Sequence, residues 1–209
     1  MANQLSGSAA GVLDPALERA SVLAGILAVL VMLAGLLWTR VSPEASARAA
    51  LPGREGLQLL DGLPRPLAAE LAWGSTMLLT ATPAAVVLIQ WRGRTLLRRG
   101  LLWDAAFESG VICERAQRAG RAISLVDLRL YPGRGEFESL LPGLPAVVVQ
   151  PLGDQGLLLL GGWSARCFSR SDLLWIEGWS RRLTGEWAQV LNGAVADGES
   201  GGTAADGTD

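Results

Sequence analysis

The chain has 209 residues, half of them hydrophobic, and a formal net charge of −2. It contains no histidine, and its 18 basic residues are all arginine. The missing imidazole excludes His-ligated haem, His-based triads and most catalytic zinc sites, and the near-neutral charge provides no basic footprint for nucleic acid.

Residues 1–13 are small and polar, with no apolar periodicity. From Ala20 to Thr39 the chain then runs without a charge between Arg19 and Arg40. About 20 apolar residues, at roughly 1.5 Å each, are what a helix needs to cross a bilayer. A core helix of a soluble domain would carry charges on its outer face. The run exceeds the h-region of a signal peptide, although Ala45-Ser46-Ala47 has the small residues of a cleavage site. Arg19 alone precedes it, whereas Arg40, Arg48 and Arg54 follow, so the positive-inside rule expects the rest of the chain on the cytosolic or stromal side.

Residues 41–64, with Pro43, Pro52, Gly53, Gly56, Gly62 and Pro64, read as a linker. A helix is predicted over 66–81, with Pro66 in its first turn and Pro83 as its stop. The β-branched run 84–91 reads as a strand, Arg92-Gly93-Arg94 as a turn, and 95–102 as the return strand of a hairpin. A second helix is expected over 103–119, with Trp103, Phe107, Gly110 and Val111 on one stripe and Gly120 ending it. Residues 122–131 alternate as a half-buried strand. Residues 145–151 and 157–162 form another hairpin around Gly153-Asp154-Gln155-Gly156. The last helix begins near Ser169, with Asp172 as its capping-box partner, and Gly193 closes it. Such an order predicts an α+β domain: an antiparallel sheet with helices packed on one face. The remaining tail carries four acids, Asp197, Glu199, Asp206 and Asp209, which leaves 16 of the 20 acids against 18 arginines elsewhere.

The carboxylates Asp104, Glu108, Glu114, Asp127, Glu136, Glu138 and Asp172 are scattered and read as surface, cap or turn residues, so no catalytic residue is named. The glycine-rich pieces match no phosphate-binding fingerprint, and no metal-ligating set is present. Cys113 and Cys167 form no CxxC pattern. Cys167 reads either as a buried, inert thiol or as a reactive one whose pKa is lowered by a helix N-terminus between Arg166 and Arg170. In the second case Cys167, Arg166 and Trp163 would hold a cofactor transiently. Of the eight tryptophans, Trp38 ends the apolar run, where an indole suits the headgroup layer. Trp73, Trp91, Trp103, Trp163, Trp175, Trp179 and Trp187 are either core or the lining of a groove for a flat apolar ligand or a partner helix.

Several of these segments resemble one family. They are Glu70-Leu71-Ala72-Trp73-Gly74-Ser75 leading to Leu79-Thr80-Ala81-Thr82-Pro83, the hairpin to Arg99-Gly100, and Gly161-Gly162-Trp163-Ser164 through Phe168, Ser171-Asp172, Trp175 and Trp179. Together they resemble the family named for cofactor assembly of complex C, in its B-type members, from cyanobacteria and chloroplasts. The resemblance implies a GAF-like domain and a thylakoid membrane factor. Such a factor helps attach the singly thioether-linked c-type haem to cytochrome b6 of the cytochrome b6f complex. It implies the cytochrome b6 apoprotein and related family members as partners in a hetero-oligomer, and haem as a transient ligand at most. Relatives have two membrane helices before the domain; here Arg19 to Trp38 resembles the second, and residues 1–18 are too short and polar for the first.

The expected organisation is a tail over 1–19, a membrane helix over 20–39, a linker over 40–64, a GAF-like domain over 65–192 and a disordered acidic tail over 193–209. Three functions compete: an assembly factor, a membrane-tethered GAF-like small-molecule sensor or scaffold, and a lyase forming the thioether itself with Cys167 and Arg166 as first candidates.

Overall fold

The uncharged run folds as one continuous helix, α1 (Pro15–Arg40). The computed structural model describes residues 15–40 and 48–200. The expectations for residues 1–13, for Ala45-Ser46-Ala47 and for the last nine residues therefore lie outside the described residues, as does the side chain of Trp38. Helix α1 and the domain after it are separate units. Its Arg19–Leu36 stretch has a mean hydropathy of 2.2 and no buried residue. At 1.5 Å per residue, 26 residues span about 39 Å, against a hydrocarbon core of about 30 Å. By length and composition α1 can cross a membrane.

The domain is built on a six-stranded antiparallel sheet in the order β1-β3-β2-β6-β5-β4. Its strands are β1 (Arg54–Leu59), β2 (Ala84–Trp91), β3 (Arg94–Leu102), β4 (Ile123–Leu125), β5 (Ala146–Leu152) and β6 (Gly156–Gly162). Both predicted hairpins form. Between β2 and β3, Arg92 (φ 48°) and Gly93 (φ 76°) take the two left-handed positions that a two-residue hairpin turn needs to match the strand twist. The helices are α2 (Arg65–Ala81), α3 (Val111–Ala119), α4 (Arg170–Glu186) and α5 (Ala188–Ser200).

Helices cover both faces of the sheet, not one as the sequence suggests. Strands β2, β5 and β6 are buried at every residue, so their side chains point alternately into two cores. Val87, Ile89, Val148, Leu158 and Leu160 meet Leu67, Leu71 and Leu78 of α2, Ile176, Trp179 and Leu183 of α4, and Leu191 of α5. Val86, Leu88, Val147, Val149, Leu157 and Leu159 meet Cys113 and Ala116 of α3, with Phe107, Leu128, Phe137, Leu140 and Leu141 from the loops.

Four further expectations are corrected. The segment read as a linker contains β1, which pairs with β3 along its whole length. Its local sequence is weak for a strand, and what fixes it is the neighbour: a Cβ on Gly56 would fall 2.6 Å from the Leu102 side chain. The second helix begins at Val111, not at residue 103. Side chains satisfy the backbone before it. The buried Arg98 guanidinium donates to the carbonyls of Trp103 and Ala105, and Gln90 Nε2 donates to the Phe107 carbonyl. The strand expected over 122–131 stops at Leu125. Asp127 accepts the Arg129 N–H and turns the chain into a short 3-10 segment over Leu128–Leu130. Finally, α4 ends at Glu186, Trp187 breaks it, and α5 continues to Ser200 inside the segment read as a disordered tail. The α5 turn is held to the sheet by Trp91 Nε1 donating to Asn192 Oδ1 at 3.2 Å.

Candidate functional site

Helix α2 has an unusual outer face. From Leu71 to Trp91 the sequence has no charged residue, so the exposed side of the helix carries Trp73, Thr76, Met77 and Thr80. A solvated helix normally places charges there. The Thr76 and Thr80 hydroxyls donate back to the carbonyls of Ala72 and Thr76, at 2.7 and 2.8 Å, so their polarity is spent within the helix. The C-terminus is closed likewise by Thr82 Oγ1 donating to the Leu78 carbonyl, and Arg99 of β3 donates to the Ala72 carbonyl at 2.8 Å.

Helix α4 lies beside α2. Its start is set by a complete capping box: Ser169 Oγ accepts the Asp172 N–H, and Asp172 Oδ2 accepts the Ser169 N–H. With that register, Trp175, Trp179 and Arg182 fall on the side toward α2. Between the helices lies an apolar groove of about 190 Å³, lined by Trp73, Gly74, Met77, Trp175, Gly178 and Trp179 among others. Its floor depends on the absence of a side chain at Gly74, where a Cβ would fall 2.0 Å from the Trp179 indole. Trp179 is 7% exposed, whereas Trp73 and Trp175 are each 57% exposed and stand at the groove as free indoles.

One end of the groove is polar. Glu70 accepts from Trp179 Nε1 at 3.3 Å and from Arg182 Nε and Nη2 at 2.9 and 3.2 Å. Those bonds from Glu70 hold the Arg182 guanidinium above its usual pKa. Arg181 is likewise paired with Glu177 at 2.5 Å. The rim therefore carries charge of both signs, and these arginines are matched by carboxylates of the same chain.

The residues proposed from sequence to hold a cofactor do not face one space. Trp163 packs against the core on the α3 side, with the Arg48 guanidinium 5.5 Å from its ring. Cys167 lies on the other face, where a Cβ on Gly162 would meet its Sγ at 2.3 Å. Arg166 is exposed at φ 57°, and its N–H donates to the Val126 carbonyl. Burial pushes the Cys167 thiol above its ordinary pKa, the opposite of the lowering that the flanking arginines suggest. Cys113 is raised further, first by burial and then by its bond to the Glu136 carboxylate. Raised thiols are protonated and poor ligands at neutral pH. Among the described residues no cluster of three or more Cys, Asp or Glu could hold a metal ion.

Glu136 has a structural task instead. Its carboxylate accepts the N–H groups of Gly110, Ile112 and Cys113 at 2.9, 2.9 and 3.0 Å and so caps α3. Sequence reasoning singled out the tryptophans but could not separate Trp73 and Trp175 from the buried Trp91 and Trp179. The uncharged stretch from Leu71 to Trp91 was the available signal.

The family of B-type proteins for cofactor assembly of complex C, CCB2/CCB4, matches residues 1–183. The chain is 30% identical over 178 residues to the chloroplastic Arabidopsis thaliana member of that name, CCB4. That match covers 79% of this chain and 60% of the relative, so the chain spans about three fifths of the length of that curated protein. Among solved structures, it is similar to the GAF domain region of a Geobacter sulfurreducens protein. That similarity has 16% identity and a TM-score of 0.46 and covers 61% of this chain and 95% of that one. A second similarity is to the GAF domain of a Coxiella burnetii phosphoenolpyruvate-protein phosphotransferase. Here the identity is 20% and the TM-score 0.46, over 62% of this chain and 86% of that one. The family match takes in the apolar helix, the sheet and almost all of the two helices that frame the groove, and the chain belongs to the cofactor assembly of complex C family, CCB2/CCB4.

Proposed function

We propose that this chain is a membrane-anchored assembly factor that assists covalent attachment of the c-type haem to cytochrome b6 of the cytochrome b6f complex. Its membership of a family named for cofactor assembly carries the reading. Two structural features support it. Helix α1 is long and apolar enough to anchor the chain in a thylakoid or cytoplasmic membrane, and the arginine asymmetry favours a cytosolic or stromal domain. The groove between α2 and α4 is flanked by the exposed indoles of Trp73 and Trp175, and the charged groups at its end, Glu70, Arg182 and Glu186, are paired with one another, which suits docking better than acid–base chemistry. Haem is then the substrate of the assembly, passed to the cytochrome b6 apoprotein within a set of related proteins. Cys113 and Cys167 have no assigned part in the bond-forming step.

Haem-peroxidase staining of denatured membrane proteins from a deletion strain tests this. Loss of the cytochrome b6 band, with cytochrome f retained, is the expected result. Both bands persisting at full strength would overturn it.

A further inference from the structure

The segment from Arg115 to Gly135 carries five arginines and one acid, Asp127, in a chain whose acids otherwise outnumber its arginines. Resting on the reading of α1 as a membrane anchor, we propose that this segment, at the β4 edge of the sheet, is a docking surface for anionic lipid headgroups.

The local charge is available to a partner. Arg115, Arg121, Arg134 and the neighbouring Arg166 are exposed, and none forms a salt bridge among the described residues. Asp127 is already held by Arg129 and is 7% exposed. The fold gathers these groups along one edge. Arg129 and Arg134 line one open cavity, and Arg115 and Arg121 line another beside Ile123 and Leu125 of β4. Arg166 donates its N–H to the Val126 carbonyl just past β4. Glu138 is the only acid among the residues that line the two cavities.

The arrangement favours a surface over a small anion. A bound anion needs arginines converging on one point, whereas these are divided between two cavities. Leu130 stands between the cavities in the chain and is 68% exposed, and Val126 is 39% exposed. Aliphatic side chains flanked by cations suit the boundary between headgroups and acyl chains. An acidic protein would match the charge, and the tether selects lipid instead. The Ala49 N–H donates to the Trp163 carbonyl at 2.7 Å, and Ala49 lines the same cavity as Arg129 and Arg134. Seven residues, 41–47, join α1 to Arg48. At about 3.5 Å per step they reach at most about 28 Å. An anchored domain thus meets headgroups at high effective concentration, so a weak surface suffices. Each unpaired arginine near an anionic surface strengthens binding about fivefold.

The full-length chain in nanodiscs tests this, with discs of phosphatidylcholine alone or with added phosphatidylglycerol. A nitroxide on Leu130→Cys, attached at neutral pH where the native thiols are buried and protonated, reports access to a water-soluble collider. Protection is expected in anionic discs and not in neutral ones. Raising the salt to 1 M shortens the screening length to about 3 Å and is expected to release the label. Arg115→Gln, Arg121→Gln and Arg134→Gln combined should weaken docking by on the order of 100-fold, with circular dichroism and thermal midpoint unchanged. A label on Gln58→Cys of β1, at the opposite edge of the sheet, should stay water-accessible throughout.

A Leu130→Cys label that stays in water in anionic discs overturns the proposal. So does protection that is equal in neutral discs, or that survives both high salt and the triple variant. Protection that arises only when other membrane proteins are added also overturns it, and gives the edge to an acidic protein. Recovery of the chain with neutral discs tests the anchor separately. A chain lost from neutral discs but held by anionic ones would sink the anchor reading and keep the docking surface. A chain lost from both would sink the two together.

Discussion

Gly74 and Trp179 occupy one volume: the indole of Trp179 lies where a Cβ at position 74 would sit, 2.0 Å from the nearest ring atom. The contact lets α2 and α4 approach closely enough for Glu70 to reach Trp179 Nε1, and it leaves the groove open above the ring.

Gly74→Ala is therefore expected to destabilise the domain, although alanine is the better helix former. The propensity gain is about 1 kcal/mol. Forcing a methyl into the indole costs about 1–3 kcal/mol or more, since backbone or ring must move. A lowered thermal midpoint and a red-shifted tryptophan emission will register the loss. A midpoint at or above wild type would mean that the helices separate freely.

Glu136→Gln should loosen the start of α3. The carboxylate accepts three backbone N–H groups there, and the amide oxygen of glutamine can accept fewer and carries no charge against the helix dipole. A cost of about 1–3 kcal/mol follows from bonds to a charged group. Hydrogen exchange at Gly110, Ile112 and Cys113 should accelerate selectively, while the amides of β2 and β6 keep their protection.

Ser169→Ala removes the hydroxyl half of the capping box and should cost about 1 kcal/mol. Urea unfolding should show a lower midpoint at unchanged slope. Ser169→Asp, which can still accept from the Asp172 N–H, should recover most of it.

The thiols give a pH dependence with a definite sign. Cys113 is held protonated in the folded state, above the ordinary value of 9.0, so folding binds a proton that the unfolded chain releases. Its contribution is complete below 9.0 and declines as the pH rises through and beyond that value. The slope for one such thiol is about 1.4 kcal/mol per pH unit. Cys113→Ala should flatten the fall of stability between about pH 9 and 10.5. Cys167 is raised by burial too, so its alkylation at neutral pH should be slower than that of a free thiol. Rapid labelling of Cys167 at neutral pH would contradict its environment.

Much of the fold was legible because it is locally encoded. Helix α2, the two hairpins and the start of α4 depend on Pro66 and Pro83, on residues able to take the left-handed turn at Arg92-Gly93, and on the Ser169–Asp172 box. These act over a few residues, so their order in the chain suffices. Elements held by distant partners were not legible. Strand β1 exists because β3 pairs with it, and the stretch from Trp103 to Gly110 stays irregular because Arg98 and Gln90 bind its carbonyls.

The sequence by itself determined an uncharged run of membrane-spanning length, from Ala20 to Thr39, an α+β domain, the absence of any histidine, and the family. Tertiary structure alone decided which tryptophans are core and which are surface. Trp91 and Trp179 are as apolar as Trp73 and Trp175, and burial is a property of what lies opposite a side chain, not of the side chain. It also decided that Cys167 and Trp163 lie on opposite faces of the sheet although four residues apart. Successive strand residues alternate faces, and the chain turns sharply after β6, so closeness in sequence there gives no closeness in space.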